Sequence, residues 1–431
     1  MAQSCLTVVI DDLYKMLPLW RSVKQTPLVL GSMGIGKSET MKSESRLYSK
    51  SIGRRFVEWN RTSIKDKEAL AIGSDLVKEV HVYCDLRTSQ LEPSDLIGLP
   101  VPTGQRTVWS PPDFFAYASQ EGASATLFLD EINLGTRSVQ NACYQLILDR
   151  QIGAVSLAED VHVVAAGNRA EDGAYVTPFA DPLISRMRIV ELAKPSADDW
   201  VNHNGDEPRI GGWFSPHPNS SINGLITGFL KAYPQMIHTH KKDRSEMMFA
   251  DHRAWSSLSK LLSNLDTFIP KGSNSALSLI HKLASAEVGA AVALTLEGFR
   301  NTMISVDLDE LFAHPEKICE YENKGNIDIL YATFAGIATR VRDEGIDKTS
   351  GKPKGKDMAG LQKILTPALE VASFLKTKEY KIFCTRMVRD IVSSQIFNAA
   401  CVSNETFRNK IARDIGNIIQ CDFSLDAPSV K

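Results

Sequence analysis

Gly31, Ser32, Met33, Gly34, Ile35, Gly36, Lys37 and Ser38 (GSMGIGKS) form a segment with three glycines and a lysine in eight residues. It fits G-x-x-x-x-G-K-[ST]. An apolar run at residues 27–30 (PLVL) leads into it, and residues 37–50 leave it with helical spacing. A strand that feeds such a loop and a helix that follows it are the context a phosphate-binding loop requires. Glycines let the backbone wrap closely round a phosphate, so the amides of residues 34–38 can point inward. The helix N-terminus adds partial positive charge. Lys37 is then expected to reach the β- and γ-phosphates of a nucleotide, and the Ser38 hydroxyl to ligate Mg2+. A glycine-rich turn that merely caps a helix is the plain alternative, and the strand in front of the loop weighs against it.

Residues 127–131 (LFLDE) supply a second motif. A carboxylate at the C-terminal end of a buried strand sits beside the phosphate loop in a parallel α/β sheet. Asp130 is expected to hold Mg2+ through water, and Glu131 to polarise the attacking water. An apolar run ending in Asp-Glu often just marks where a strand meets solvent; its partnership with the loop makes it informative. Residues 165–169 (AAGNR) end a further strand, where the Asn168 amide can hydrogen-bond the attacking water or the γ-phosphate, or cap a turn. Arg186 and Arg188 precede a last apolar run, and a guanidinium against a γ-phosphate stabilises transition-state charge. Each arginine alone reads equally as a solvated surface charge.

Around these motifs lie five short apolar runs, at residues 27–30, 81–85, 126–130, 161–166 and 188–191. Near-continuous hydrophobicity in short strands separated by helical segments predicts a five-stranded parallel sheet covered on both faces. In the segment 137–148, Val139, Ala142, Cys143, Leu146 and Ile147 fall on one helical stripe. From about residue 196 helical patterns replace strands, at 222–232, 252–265, 276–293 and 307–312. Residues 343–357 (DEGIDKTSGKPKGKD) read as a solvated linker. Helices are expected beyond it at 358–375, 380–398 and 404–419. The organisation these patterns predict is an α/β domain over 1–195 followed by a mainly helical region from about residue 196.

Composition narrows the class. Of 431 residues, 43% are hydrophobic and 23% charged, which is globular usage and excludes a disordered or fibrous chain. Lys plus Arg total 49 against 51 Asp plus Glu, a net charge of −2 that gives no global attraction to nucleic acid or anionic membrane. Seven scattered cysteines form no Cys-x-x-Cys, so neither a disulfide framework nor a zinc site is indicated. The first residues lack signal-peptide order, and no run approaches a membrane span; a cytoplasmic location is expected. His238 and His240 lack ligand-spaced partners, and Lys348, Lys352, Lys354 and Lys356 alternate with Asp and Gly. Trp109, Trp200, Trp213 and Trp255 are expected to pack in the core or lid rather than stack on bases.

Together these residues and their order resemble the MoxR family of AAA+ ATPases over about residues 10–315. The likeness extends to residues 91–100 (LEPSDLIGLP), 128–134 (FLDEINL), 139–150 (VQNACYQLILDR) and 165–169 (AAGNR). The resemblance implies an AAA+ P-loop domain over 1–195 and an all-α lid over 196–315, with ATP and Mg2+ as cofactors, and leaves 316–431 as a helical extension outside the match. It implies Asn168 as sensor 1, Arg186 as arginine finger with Arg188 as its rival, and Arg253 as sensor 2. Arg253 lies in residues 251–255 (DHRAW), where His252 replaces the family's proline. The resemblance also implies a homo-oligomeric ring, usually of six subunits, with β-hairpin inserts facing its pore, here residues 97–109 and 151–157. Relatives remodel protein clients, commonly with a partner that carries a von Willebrand A domain. Two other classes stay open: a nucleotide-gated assembly scaffold with slow turnover, and the ATPase subunit of a nucleic-acid-processing complex. Glu131 and Arg186 favour turnover over a scaffold. The lack of a basic run or DNA-reading module weighs against nucleic acid. Residues 53–80 depart from compact relatives as a longer connection before the second strand.

Overall fold

The structure is a computed structural model that describes residues 5–71, 73, 75–169, 179, 181–197, 200, 222–239, 248–265, 268, 274–345 and 359–391. Two compact units divide between Pro195 and Ser196. In the first, the strands are β1 (Leu6–Val8), β2 (Thr26–Leu30), β3 (Arg55–Glu58), β4 (Val80–Arg87), β5 (Leu99–Thr103) and β6 (Arg106–Ser110). They continue as β7 (Ser124–Asp130), β8 (Gln151–Ile152), β9 (Val155–Ser156), β10 (Asp160–Gly167) and β11 (Met187–Leu192). Among them run α1 (Ile10–Ser22), α2 (Lys37–Ser51), α3 (Ile64–Ala71), α4 (Pro93–Ile97), α5 (Asp113–Ala118), α6 (Arg137–Asp149) and α7 (Asp181–Ile184).

Seven strands form one parallel sheet in the order β1-β11-β2-β10-β7-β4-β3. The expected parallel α/β class holds, and the strand number is corrected from five to seven. The two additions, β1 and β3, are the edges. The connection expected over 53–80 therefore contains a sheet strand. An edge strand has one neighbour and a wet side, so Arg55 to Glu58 carries no continuous apolar run to announce it.

Alternation along each strand builds two cores. On one face Val29, Tyr83, Phe128, Val164 and Val190 pack against Leu13 and Leu17 of α1 and Met41 of α2. On the other, Leu28, Val82, Cys84, Leu127, Leu129 and Val163 pack against Phe114 and Phe115 of α5 and the α6 stripe. All five stripe residues are buried. Thr136 starts that helix, its hydroxyl accepting from the Val139 amide.

The chain's path fixes where a ligand can bind. After β2 it crosses to the far edge, returns through β4 and β7 to β10, and then passes over β2 to β11. The carboxyl end of β2, between β10 and β11, is thus a topological switch point, the place where open α/β sheets bind ligands. Residues 99–110 and 151–156 stand outside the sheet as antiparallel hairpins, β5–β6 and β8–β9. Every residue of β5 and β6 is exposed. That includes Trp109, 46% exposed, which corrects its expected packing.

The second unit is helical. Its helices are α8 (Gly224–Ala232), α9 (His252–Leu265), α10 (Asn274–Val288), α11 (Ala290–Ser305), α12 (Leu308–Ala313), α13 (Ile318–Asn323), α14 (Ile327–Gly345), α15 (Ala359–Phe374) and α16 (Lys378–Ile391). The single helix expected at 276–293 is two, because Gly289 between them has φ 89°. Residues 343–345 of the expected linker continue α14. The rest of that linker, the helix at 404–419, Trp213, His240 and the four lysines lie outside the described residues. Phe229, Trp255 and Phe299 form an aromatic centre, with ring centroids 5.6 and 5.8 Å from Phe229. Trp200 and Trp255 are buried as expected. Cys5, Cys84, Cys143, Cys319 and Cys384 are all free thiols. No helix among the described residues is long and apolar enough to cross a membrane.

Candidate nucleotide-binding site

Residues 31–36 connect β2 to α2 at the switch point. Gly34 and Gly36 have φ 76° and 92°, left-handed values that a side chain resists. Gly36 is the N-cap of α2, and no side chain among the described residues caps the helix. Its first amides and dipole are therefore available to an anion. Gly31 approaches so closely that an added Cβ would lie 2.7 Å from Ile35 Cδ1 and 3.3 Å from the Leu192 carbonyl.

Lys37 is buried under the loop. Its Nζ donates to the Gly31 carbonyl at 2.7 Å, the Ser32 carbonyl at 2.9 Å and Asn168 Oδ1 at 3.3 Å. The ammonium thus already touches both the loop and the residue expected to sense phosphate. Ser38 Oγ donates to Asp130 Oδ2 at 2.8 Å, so the two residues separated by 92 positions meet. Burial pushes the Asp130 carboxyl up from its ordinary value, while Ser38, the Glu131 amide and Lys37 pull it down. A hydroxyl and a carboxylate at this separation are hard oxygen donors of the kind Mg2+ takes. Strand alternation puts Asp85 on the same sheet face as Tyr83, Phe128 and Asp130. Its Oδ1 is buried with no hydrogen-bond partner among the described residues.

Glu131 has φ 55°, uncommon for a residue with a side chain, and turns the chain sharply off β7. Ser89 Oγ donates to its Oε2 at 2.6 Å, and Thr88 Oγ1 donates to the carbonyls of Glu131 at 2.8 Å and Asp130 at 3.2 Å. Asn133 holds Asn168 from both sides. Its Nδ2 donates to the Asn168 carbonyl at 2.6 Å, and its Oδ1 accepts from the Asn168 amide at 3.0 Å. Beside them, Arg169 donates to Ser32 Oγ at 2.7 Å and pairs with Glu191.

The sheet therefore brings together the loop from Gly31 to Ser38, Asp130, Glu131 and Asn168. Two other expected residues lie elsewhere in this unit. Arg186 is exposed just before β11, and Arg188 is exposed on that strand, paired in register with Pro27. Gly31 begins four residues beyond Pro27, which sets Arg188 about 13 Å below the loop along the strand. Arg253 is exposed on the first turn of α9, in the helical unit. Sequence reading passed over Thr88, Ser89, Asn133 and Arg169 as contributors. The usable signal was position: Thr88 and Ser89 follow the end of β4, Asn133 that of β7 and Arg169 that of β10, three neighbouring strands.

Fold and site define a phosphate-loop-type turn at the switch point of a parallel α/β sheet, with carboxylates and amides gathered round it. No protein-family model and no curated protein matches the chain. Solved structures it is similar to include C. elegans PCH-2, at 12% identity over 64% of this chain and 67% of that one, TM-score 0.31. Another is NtrX from Brucella abortus in complex with ADP, at 14% identity over 77% of this chain and 63% of that one, TM-score 0.35. A third is the Thermotoga maritima RuvB Holliday junction branch migration motor, at 14% identity over 70% and 80%, TM-score 0.24. The alignment spans less than two thirds of NtrX. At such TM-scores these likenesses carry no functional argument, which rests on the residues themselves.

Proposed function

We propose that this chain is a Mg2+-dependent, ATP-hydrolysing AAA+ ATPase of MoxR type that works as a ring, most simply a hexamer, to remodel a protein client. The carrying observation is the 2.8 Å bond between Ser38 and Asp130, with Lys37 and Glu131 at the same sheet end. In this reading the amides of residues 34–38 and the Lys37 ammonium hold the β- and γ-phosphates. Ser38 and Asp130 would hold Mg2+, which supplies charge neutralisation across the phosphate oxygens. Glu131 takes the proton of the attacking water, oriented by Asn168. Ser89 fixes the Glu131 carboxylate before that step.

Arg186 serves as the finger toward a neighbouring subunit, and Arg253 as the lid's sensor. The exposed β5–β6 hairpin and the β8–β9 hairpin are the pore-facing elements. The helical half divides into a lid over 196–315 and an extension over 316–431 that selects the partner, a von Willebrand A protein being the kind expected. The location is the cytoplasm. Steady-state ATPase of the purified chain, with and without added protein or DNA, tests the reading. Mg2+-dependent turnover that DNA does not stimulate is the expected result. Nucleotide binding without turnover would favour a nucleotide-gated scaffold, and stimulation by DNA a nucleic-acid motor.

A further inference from the structure

Three strand ends meet at the Arg169 side chain. Arg169 follows β10; its guanidinium donates at 2.7 Å to Ser32 Oγ, in the loop that follows β2, and pairs with Glu191 near the end of β11. These three strands are neighbours, with β2 in the middle. Glu191 stands opposite Leu30 in register, directly beside the point where the strand becomes the phosphate loop. Ser32 itself is 3% exposed. Its carbonyl is held by Lys37 at 2.9 Å and its hydroxyl by Arg169.

We infer that Arg169, braced by Glu191, is a positioning residue that fixes the opening turn of the phosphate loop through the Ser32 hydroxyl. The inference rests on the nucleotide-binding reading above. An ammonium that turns to phosphate oxygens gives up its bonds to the Gly31 and Ser32 carbonyls, since its three donors are shared among them. The loop then keeps its shape at this turn through the Arg169 bond, anchored to β11 by an ion pair about three-quarters buried on both sides. A guanidinium suits the task because its planar fork serves two acceptors in fixed directions, which a lysine cannot. The bond exists before nucleotide arrives, so the ordering cost is met in folding rather than in binding.

The test is titration of the full chain with a fluorescent ADP analogue, together with KM and kcat for ATP. Arg169→Ala should weaken binding about tenfold, the loss of one charge-assisted hydrogen bond, with the change in KM rather than kcat. Ser32→Ala should reproduce most of that loss, and Arg169→Lys should fall between. The double variant should bind no worse than Arg169→Ala, because both changes remove one bond. Additive losses would overturn the inference in favour of direct contact between Arg169 and nucleotide. So would Arg169→Ala or Arg169→Lys affinities within about twofold of wild type. A wild-type chain that fails to bind the analogue would instead overturn the nucleotide-binding reading itself.

Discussion

In the proposed reading Lys37 and Glu131 carry opposite halves of the chemistry, and their replacement should separate binding from turnover. Removing the Lys37 ammonium takes away the charge that faces the phosphates, so Lys37→Ala should lose nucleotide affinity by at least about tenfold and all turnover. Fluorescent-nucleotide titration checks this; wild-type affinity would remove Lys37 from the site. Glu131 holds a positive φ at a strand end, a local cost that persists where its surroundings fix it. Glu131→Gln keeps shape and the Ser89 contact but cannot accept a proton. It should bind ATP normally and turn over about 100-fold or more slowly. Asp85 offers a pH test. Burial, and then the Asp130 charge, raise its carboxyl to about 6 from an ordinary 3.8. Between those values the folded protein keeps a proton that the unfolded chain has lost. Stability from this group is therefore full below about pH 3.8 and falls as pH rises through about 6. In nucleotide-free protein Asp85→Asn should raise the thermal midpoint at pH 7.5 and change it little at pH 4. A gap that does not vary with pH would show that Asp85 ionises in place without penalty.

What the sequence could reveal of the strands and helices depended on whether the signal was local. The loop from Gly31 to Ser38 is one contiguous motif between a strand and a helix, and the apolar runs of β2, β4, β7, β10 and β11 are short-range patterns too. These were legible, as was the α6 stripe. The edges were not: β1 is three residues long, and β3 carries Arg55 and Glu58 at its ends. Nor were Thr88, Ser89, Asn133 and Arg169, since a lone polar residue after a strand has many uses until strand order says what lies beside it. A further element-scale feature was equally hidden. Arg21 of α1 donates to Glu44 of α2 at 3.1 Å and to Thr126 of β7 at 2.8 Å, with side chains 6% and 4% exposed for the ion pair. The guanidinium lies 3.9 Å over the Tyr48 ring. It ties the helix that carries the phosphate loop to α1 and the sheet. Glu44→Ala strands a buried cation and should cost about 3–5 kcal/mol in urea unfolding. Arg21→Met with Glu44→Leu replaces the pair by apolar volume and should recover most of that loss. A double variant as unstable as Glu44→Ala would mean the network, rather than the uncompensated charge, sets the cost.

Arg186 is exposed and precedes the amino end of β11, whereas the phosphate loop lies at the carboxyl end of the sheet. A guanidinium so placed is remote from its own Lys37 and Glu131. If it supplies transition-state charge, it does so in the site of another copy, and hydrolysis requires assembly. Specific activity should then rise with protein concentration until the rings saturate. Mixing sharpens the test. Arg186→Ala subunits have an intact loop and no finger; Lys37→Ala subunits have the finger and no working loop. Each alone should be inactive, yet in mixed rings some interfaces pair an intact loop with an intact finger. Partial recovery of ATPase on mixing is the expected outcome. No recovery, with mixed oligomers confirmed by pull-down of a tagged subunit, would move the finger to Arg188 or into its own subunit. A rate independent of concentration, from a chain that stays monomeric with ATP, would sink the ring itself.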